Sequence, residues 1–427
     1  MNACHLTASS DLLRARFSQA MSDLYRAEVP IYGELLEIVA DCNRANASAT
    51  AAGPLDARLP VERHGAIRLG TPQELRAMRR VLAVLGMQPV GYYDLAPAGV
   101  PVHSTAFRPV GADSLARSPF RLFTSLLRLE LIADVGLRKE AAAILARRQI
   151  FSDRLLALVA QHEMHGALSA AQADEFLHHA LDVFRWQRTA AVPHATYEAL
   201  HRAHRLIADV VCFKGPHINH LTPRTCDIDA VQSCMRERGI RVKDSIEGPP
   251  RRRHPILLRQ TSFKALEETV AFSDGIVGSH TARFGEVEHR GMALTPKGRA
   301  LYDRLLAQAG AQNRLDDAFD AFPDDLQTLR EDGLAYFRYW AEGATLRCEP
   351  LVYEDFLPVS AAGIFQSNLG SADAQVFLTG SARDAFELAL GCPVLDEMAL
   401  YKDESESSLR LAQAALTTAF AALPEQA

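Results

Sequence analysis

Apolar positions three and four apart open the chain and predict helices. Leu12, Leu13, Phe17, Met21 and Leu24 recur at helical spacing, and Tyr32, Leu35, Leu36, Ile38 and Val39 begin a second run. That run fades into the small-residue stretch 47–54, which predicts a linker. The pattern then changes period. Ala66-Ile67-Arg68-Leu69 reads as a short strand, and Thr71, Pro72 and Glu74 supply an N-cap, a first-turn proline and a capping-box acid. The helix they start carries the stripe Leu75, Met78, Leu82 and Leu85 and stops at Gly86. Strands predicted at 90–95, 100–110 and 120–127 complete a β-α-β-β-β module.

From about 136 to 208 the spacing is helical again, in segments 137–148, 153–162, 170–186 and 197–207, which predicts a helical insertion. Strand character returns at 209–213. A helix follows with Ile228, Val231, Cys234 and Met235 inward and Gly239 at its end. Strands predicted at 240–246, 256–272 and 282–288 make a second β-α-β-β-β module, so the order of elements repeats. Segment 292–309 is helical behind Thr295-Pro296. The remainder mixes helices with short strands such as 346–352 and ends in an amphipathic helix around 409–423. The expectation is an α+β fold with N-terminal helices in 1–50, a core of two modules and the insertion in 51–310, and a C-terminal α/β region in 311–427 covering the site.

Composition narrows the function. At 48% hydrophobic and 23% charged, the chain has an ordinary globular make-up, and its formal net charge of −6 argues against a dedicated nucleic-acid binder. No apolar run approaches the roughly 20 residues that span a bilayer, and the first residues lack the basic start and apolar core of a signal peptide. Seven irregularly spaced cysteines without C-x-x-C indicate reduced thiols, so a cytoplasmic protein is expected. Neither a P-loop, a nucleophile elbow nor a dinucleotide-binding glycine fingerprint is present.

The candidate chemistry sits on the two modules. His64 and Arg68 stand four apart just before the first capped helix, and His220 and Arg224 repeat that spacing in the second module. An acidic strand follows at 284–289. Two imidazoles and one carboxylate on separate strands make an open site suited to Fe(II), with His64, His220 and Glu288 as the ligands and three positions left for substrate and dioxygen. Residues i and i+4 share a strand face, so Arg68 lies on the metal side of His64, where it could bind a substrate carboxylate bidentately. His217 competes with His220 and Glu286 with Glu288; the repeated His-x-x-x-Arg spacing favours His220, and alternation alone leaves the two glutamates equal. His162-Glu163-Met164-His165 has one residue too few between its histidines for a metalloprotease motif. The adjacent His178 and His179 diverge on a helix. Segment 294–301 resembles part of a winged-helix regulator, but no helix-turn-helix precedes it.

On Arg63-His64-Gly-Ala-Ile-Arg68, Gly215-Pro-His-Ile-Asn-His220-Leu-Thr-Pro-Arg224, Arg283-Phe-Gly-Glu-Val-Glu288-His-Arg-Gly and Val394-Leu-Asp-Glu-Met-Ala-Leu-Tyr401, the sequence resembles the 2-oxoadipate dioxygenase/decarboxylases, also called 2-hydroxyglutarate synthases. The resemblance implies a vicinal-oxygen-chelate-like core of paired modules forming a cupped sheet. It implies Fe(II) on the positions matching His64, His220 and Glu288, a substrate-reading arginine at Arg68, and a substrate contact at Val394. The implied reaction takes a 2-oxo dicarboxylic acid and dioxygen to 2-hydroxyglutarate and carbon dioxide, in lysine breakdown. The alternatives are a metal-dependent isomerase or lyase on the same fold and a DNA-binding regulator.

Overall fold

The structure is a computed structural model that describes residues 9–47, 56–312, 315–357 and 382–421. The expected linker lies, but for Ala47, outside them. Helix α1 (Ser10–Glu28) starts where the Ser9 side chain accepts a hydrogen bond from the Leu12 amide, and it buries Leu13, Phe17, Met21 and Tyr25. Helix α2 (Pro30–Ala47) follows directly.

The first module forms as its spacing predicts. Strand β1 (Arg63–Leu69) leads into α3 (Pro72–Val84), whose Thr71 and Glu74 form a full capping box. Strands β2 (Gln88–Asp94), β3 (Val102–Arg108) and β4 (Phe120–Leu127) follow, with the short α4 (Ala112–Arg117) between the last two. With β5 (His220–Pro223) they make one five-stranded sheet in the order β2-β3-β4-β1-β5, in which β1 runs parallel to β4 and antiparallel to β5.

This sheet is buried on both faces, but the faces differ in chemistry. Strand alternation sends Ile67 and Leu69 of β1, Phe120, Leu122 and Leu126 of β4 and Leu221 of β5 into the apolar core with α1, α3, α6 and α7. Each such side chain contributes roughly 1.5–3 kcal/mol by leaving water. The opposite face carries His64 and Arg68 of β1, Arg121 and Ser125 of β4, and His220 and Thr222 of β5, paired in register as His64 with Arg121 and Thr222, and Arg68 with Ser125. Buried polar groups are costly unless they find partners, so this face is where chemistry is to be sought.

The insertion is helical: α5 (Val135–Ala146), α6 (Asp153–His165), α7 (Ala170–Asp182), α8 (His194–Ala203) and α9 (Arg205–Val211). The strand expected at 209–213 is instead the end of α9. The chain breaks at His204, whose ring accepts a hydrogen bond from the Leu206 amide and so starts a new helix, and the run Ala208–Val211 is buried all round, where alternation carries no signal.

The second module is looser than the first. Helix α10 (Ile228–Glu237) is present, but 240–246 gives only an isolated bridge at Val242, and the single strand expected over 256–272 divides into β6 (Leu258–Ser262) and β7 (Glu267–Ala271). Strand β7 pairs with β8 (Val277–Thr281), and β6 pairs with β9 (Glu286–Arg290). Gly285 permits that approach, because a Cβ there would collide with the Phe263 ring.

The chain divides into two compact units. The first takes its residues from Met1–Ile246, Gln260–Glu288 and Pro358–Leu395, and includes α14 (Arg383–Leu390). The second contains α11 (Pro296–Gln312), α12 (Leu315–Phe319), α13 (Leu326–Glu331), the hairpin β10 (Phe337–Glu342) and β11 (Thr345–Pro350), and α15 (Glu397–Ala421). Within it Arg252 donates to the carbonyls of Phe319 and Phe322, which gives that arginine a structural role. No described helix is long and apolar enough to cross a membrane.

Candidate metal centre

Strands β1 and β5 bring two histidines together. Ala66 pairs with His220, so His64 and His220 lie two residues apart on one sheet face, and their rings meet edge to face with centroids 5.5 Å apart. Gly65 between them allows this approach; a Cβ there would stand 2.7 Å from Ile218 Cδ1 and 3.2 Å from the His220 carbonyl. Strand β9 supplies acids from the other side. It is tied to the end of β5 by a bridge between Arg224 and Glu288 and by the Thr225 amide donating to the Glu288 carbonyl at 2.8 Å. Alternation along β9 then points Glu286 and Glu288 the same way.

The imidazole of His64 lies between these two carboxylates. Its Nδ1 is 2.9 Å from Glu288 Oε2 and its Nε2 is 3.2 Å from Glu286 Oε1. One ligand atom each from His64, His220 and Glu286 fall within 4.8 Å of one another, a spacing that can hold a metal ion. Glu286 is itself oriented: its Oε1 accepts from Gln260 Nε2 and, at 3.4 Å, from the Thr222 hydroxyl. All four residues are buried, and both glutamates are fully inaccessible.

The electrostatics suit a cation. Burial alone would depress the His64 imidazole, but the carboxylates of Glu288 and Glu286 outweigh it and lift the group above its ordinary value. Burial, reinforced by His64, Arg68 and Lys243, holds His220 well below its ordinary value, which keeps it neutral and able to donate a lone pair. His220 Nδ1 and Glu286 Oε2 are buried and find no hydrogen-bond partner among the described residues. Two imidazoles, buried carboxylates and orphaned polar atoms fit a divalent metal ion.

Arg68 lies on the same face as His64 and its Nη1 donates to Asp209 Oδ2 at 2.5 Å. His217, the competitor to His220 in the sequence, sits elsewhere: its Nε2 is 3.2 Å from Asp209 Oδ1. Val394 is buried in the apolar core. Its amide donates to Glu387, its carbonyl accepts from Arg383, and Leu395 beside it bridges to Val90 at the far edge of the sheet from β5. The described contacts do not join Val394 to the histidines. Arg224 turns from the site to Glu62, which it meets at 2.9 Å together with Arg121 and Arg58. Glu163 of the His-Glu-Met-His segment pairs with Arg80, and His178 is exposed. The sequence reading missed Asp209, His280, Gln260 and Thr222. The one signal for Asp209 was an acid inside the apolar run Ile207–Phe213; the others carried none.

The sequence pattern of the 2-oxoadipate dioxygenase/decarboxylase family matches residues 17–368. The chain is 55% identical to the 2-oxoadipate dioxygenase/decarboxylase of Escherichia coli, over 94% of this chain and 98% of that one. It is 54% identical to the enzyme of the same name from Pseudomonas putida, over 96% and 97%. Among solved structures, the hydroxyglutarate synthase of Pseudomonas putida in complex with 2-oxoadipate superposes with a TM-score of 0.88 at 54% identity, covering 96% of this chain and 99% of that one.

Proposed function

The chain belongs to the 2-oxoadipate dioxygenase/decarboxylase family and is an enzyme, and from that premise we propose that it converts 2-oxoadipate and dioxygen to 2-hydroxyglutarate and carbon dioxide, with Fe(II), in lysine breakdown. The observation that carries the reading is the meeting of His64, His220 and the Glu286–Glu288 pair on a buried sheet face that also holds Arg68. The proposed ligands are His64, His220 and Glu288. The resemblance implies this set, and the Oε1 of Glu286 already accepts from Gln260 and Thr222. Glu286 is the competing third ligand.

Bound Fe(II) would supply open positions for the 2-oxo acid and dioxygen and the electrons that start the oxidation. This chain's residues do the rest. Arg68 binds the distal carboxylate and sets which end of the substrate faces the histidines. Whichever glutamate is not a ligand accepts a hydrogen bond from the N–H of the His64 nitrogen it faces, fixing the tautomer. Neutral His220 keeps its lone pair toward the cluster. The buried polar face excludes bulk water. Val394 is the proposed further substrate contact. The atoms balance: the original carboxyl next to the keto group leaves as carbon dioxide, one dioxygen atom completes the new carboxylate at the former keto carbon, and the other becomes the hydroxyl of the five-carbon product.

An oxygen electrode tests this directly. The Fe(II)-loaded protein is expected to consume dioxygen and release carbon dioxide one for one with 2-oxoadipate, and His64→Ala is expected to abolish both. Turnover with zinc or manganese and no oxygen uptake would instead favour an isomerase or lyase.

A further inference from the structure

Arg68 is one member of a buried cluster whose centre is Asp209. The two oxygens of that carboxylate have separate partners. Oδ2 accepts from Arg68 Nη1 at 2.5 Å. Oδ1 lies 3.0 Å from His280 Nε2 and 3.2 Å from His217 Nε2. The Tyr197 hydroxyl is 3.0 Å from His280 Nδ1, so with Nε2–H donating to Asp209 the other ring nitrogen accepts from the tyrosine. Trp186 closes one side, edge-on to His217 at 4.6 Å and stacked with His280 at 6.2 Å. Arg68, Asp209, His217 and His280 are each at most 4% exposed.

These groups come from β1, α9, β8, α8 and the segment before β5. A simple ion pair to neutralise Arg68 would need Asp209 alone, and the two imidazoles and the tyrosine add orientation. A guanidinium is a rigid plane of five N–H donors, so holding one Nη fixes where its other donors point. A carboxylate free to turn would not hold that plane, and Asp209 is prevented from turning because each of its oxygens faces a separate buried donor. Burial would push Asp209 up, but Arg68 and His217, with the hydrogen bond from His280, hold it well below the carboxylate range, so the anchor stays charged.

We propose that Asp209, clamped by His280 and His217, is the positioning residue that fixes the guanidinium plane of Arg68, and that this cluster sets the preference for a 2-oxo acid bearing a second carboxylate. The proposal rests on the reading of Arg68 as the distal-carboxylate binder.

The test compares 2-oxoadipate with 2-oxohexanoate, which has the same chain length and no distal carboxylate, on the Fe(II)-loaded enzyme. Asp209→Asn is expected to raise KM for 2-oxoadipate by about 10- to 100-fold, the scale of a misplaced positioning group, with kcat changed much less. KM for 2-oxohexanoate should not move. Arg68→Met should show the same selectivity, and the double variant should be no worse than Arg68→Met alone. His280→Gln, a milder change, should shift KM the same way by a smaller factor. Equal losses for both acids, additive effects in the double variant, or an unchanged KM for 2-oxoadipate would overturn the proposal. Should the wild type take up no oxygen with either acid, the proposed reaction fails. The clamp is then read from calorimetric binding of glutarate, which Asp209→Asn must weaken and, if it does not, the proposal falls as well.

Discussion

At the scale of the residue, the centre depends on one histidine between two acids. His64 presents a different ring nitrogen to each of Glu286 and Glu288. A metal bound at one nitrogen displaces one of these contacts and leaves the other as the carboxylate that holds the ring. The two glutamates therefore have unequal roles that substitution can separate. With Glu288 as ligand, Glu286→Gln is expected to weaken Fe(II) binding about 10- to 100-fold, the usual cost of losing an outer carboxylate. Glu288→Gln should weaken it further. Metal titration of the refolded proteins, followed by absorbance with Co(II) as a probe, measures both, and the opposite order would transfer the ligand role to Glu286. The sequence showed that both acids share a face and could not rank them, because a period of two is blind to which of two alternating positions reaches a partner on another strand.

At the scale of the element, β1 and β5 fix the spacing of the histidines, and Gly65 sets how closely they approach. Gly65→Ala would place a methyl 2.7 Å from Ile218 Cδ1 and against the His220 backbone. Overpacking of this kind costs about 1–3 kcal/mol, so a lowered urea midpoint is expected. Fe(II) affinity should fall as well, because the displaced segment carries His220. A variant with full stability and full metal affinity would show that β5 is free to adjust. The first module was legible at this scale because its capping box, stripe and alternation all agree, and α3 begins at the residue its cap predicts. The second module was less so. Its strands are short, the bridge at Val242 stands in for one of them, and α9 forms from a run that also suits a strand.

At the scale of the whole molecule, buried neutral histidines set the response to acid. His103 on β3 is pushed down to about 4 by burial and then by Arg128. Its folded value lies below its unfolded value of 6.5, so the unfolded chain takes up the proton first. Stability is therefore lost as the pH falls from 6.5 toward 4, by roughly 3 kcal/mol if the full shift is realised at about 1.4 kcal/mol per unit. His103→Gln is expected to flatten that part of the curve of unfolding free energy against pH. An unchanged slope would assign the acid sensitivity to other groups, of which His204, also held near 4 chiefly by burial, is the first to examine.

The sequence by itself determined the fold class, the order of elements in the first module, the helical insertion, and the placing of His64 and Arg68 on one face of a strand. These are local properties: caps, periods and spacings act within a few turns of chain, so the residues that carry them are neighbours in sequence. Only the tertiary structure decided that His217 belongs to Asp209 rather than to His220, that both Glu286 and Glu288 reach His64, that Arg224 turns to Glu62, and that Arg68 is clamped from behind. Each of those contacts joins residues between 141 and 224 positions apart except the first, and even there His217 and Asp209 stand eight positions apart on different elements. Which buried acid meets which buried base depends on how the sheet face closes, where low dielectric makes every unpaired charge costly and every pairing selective.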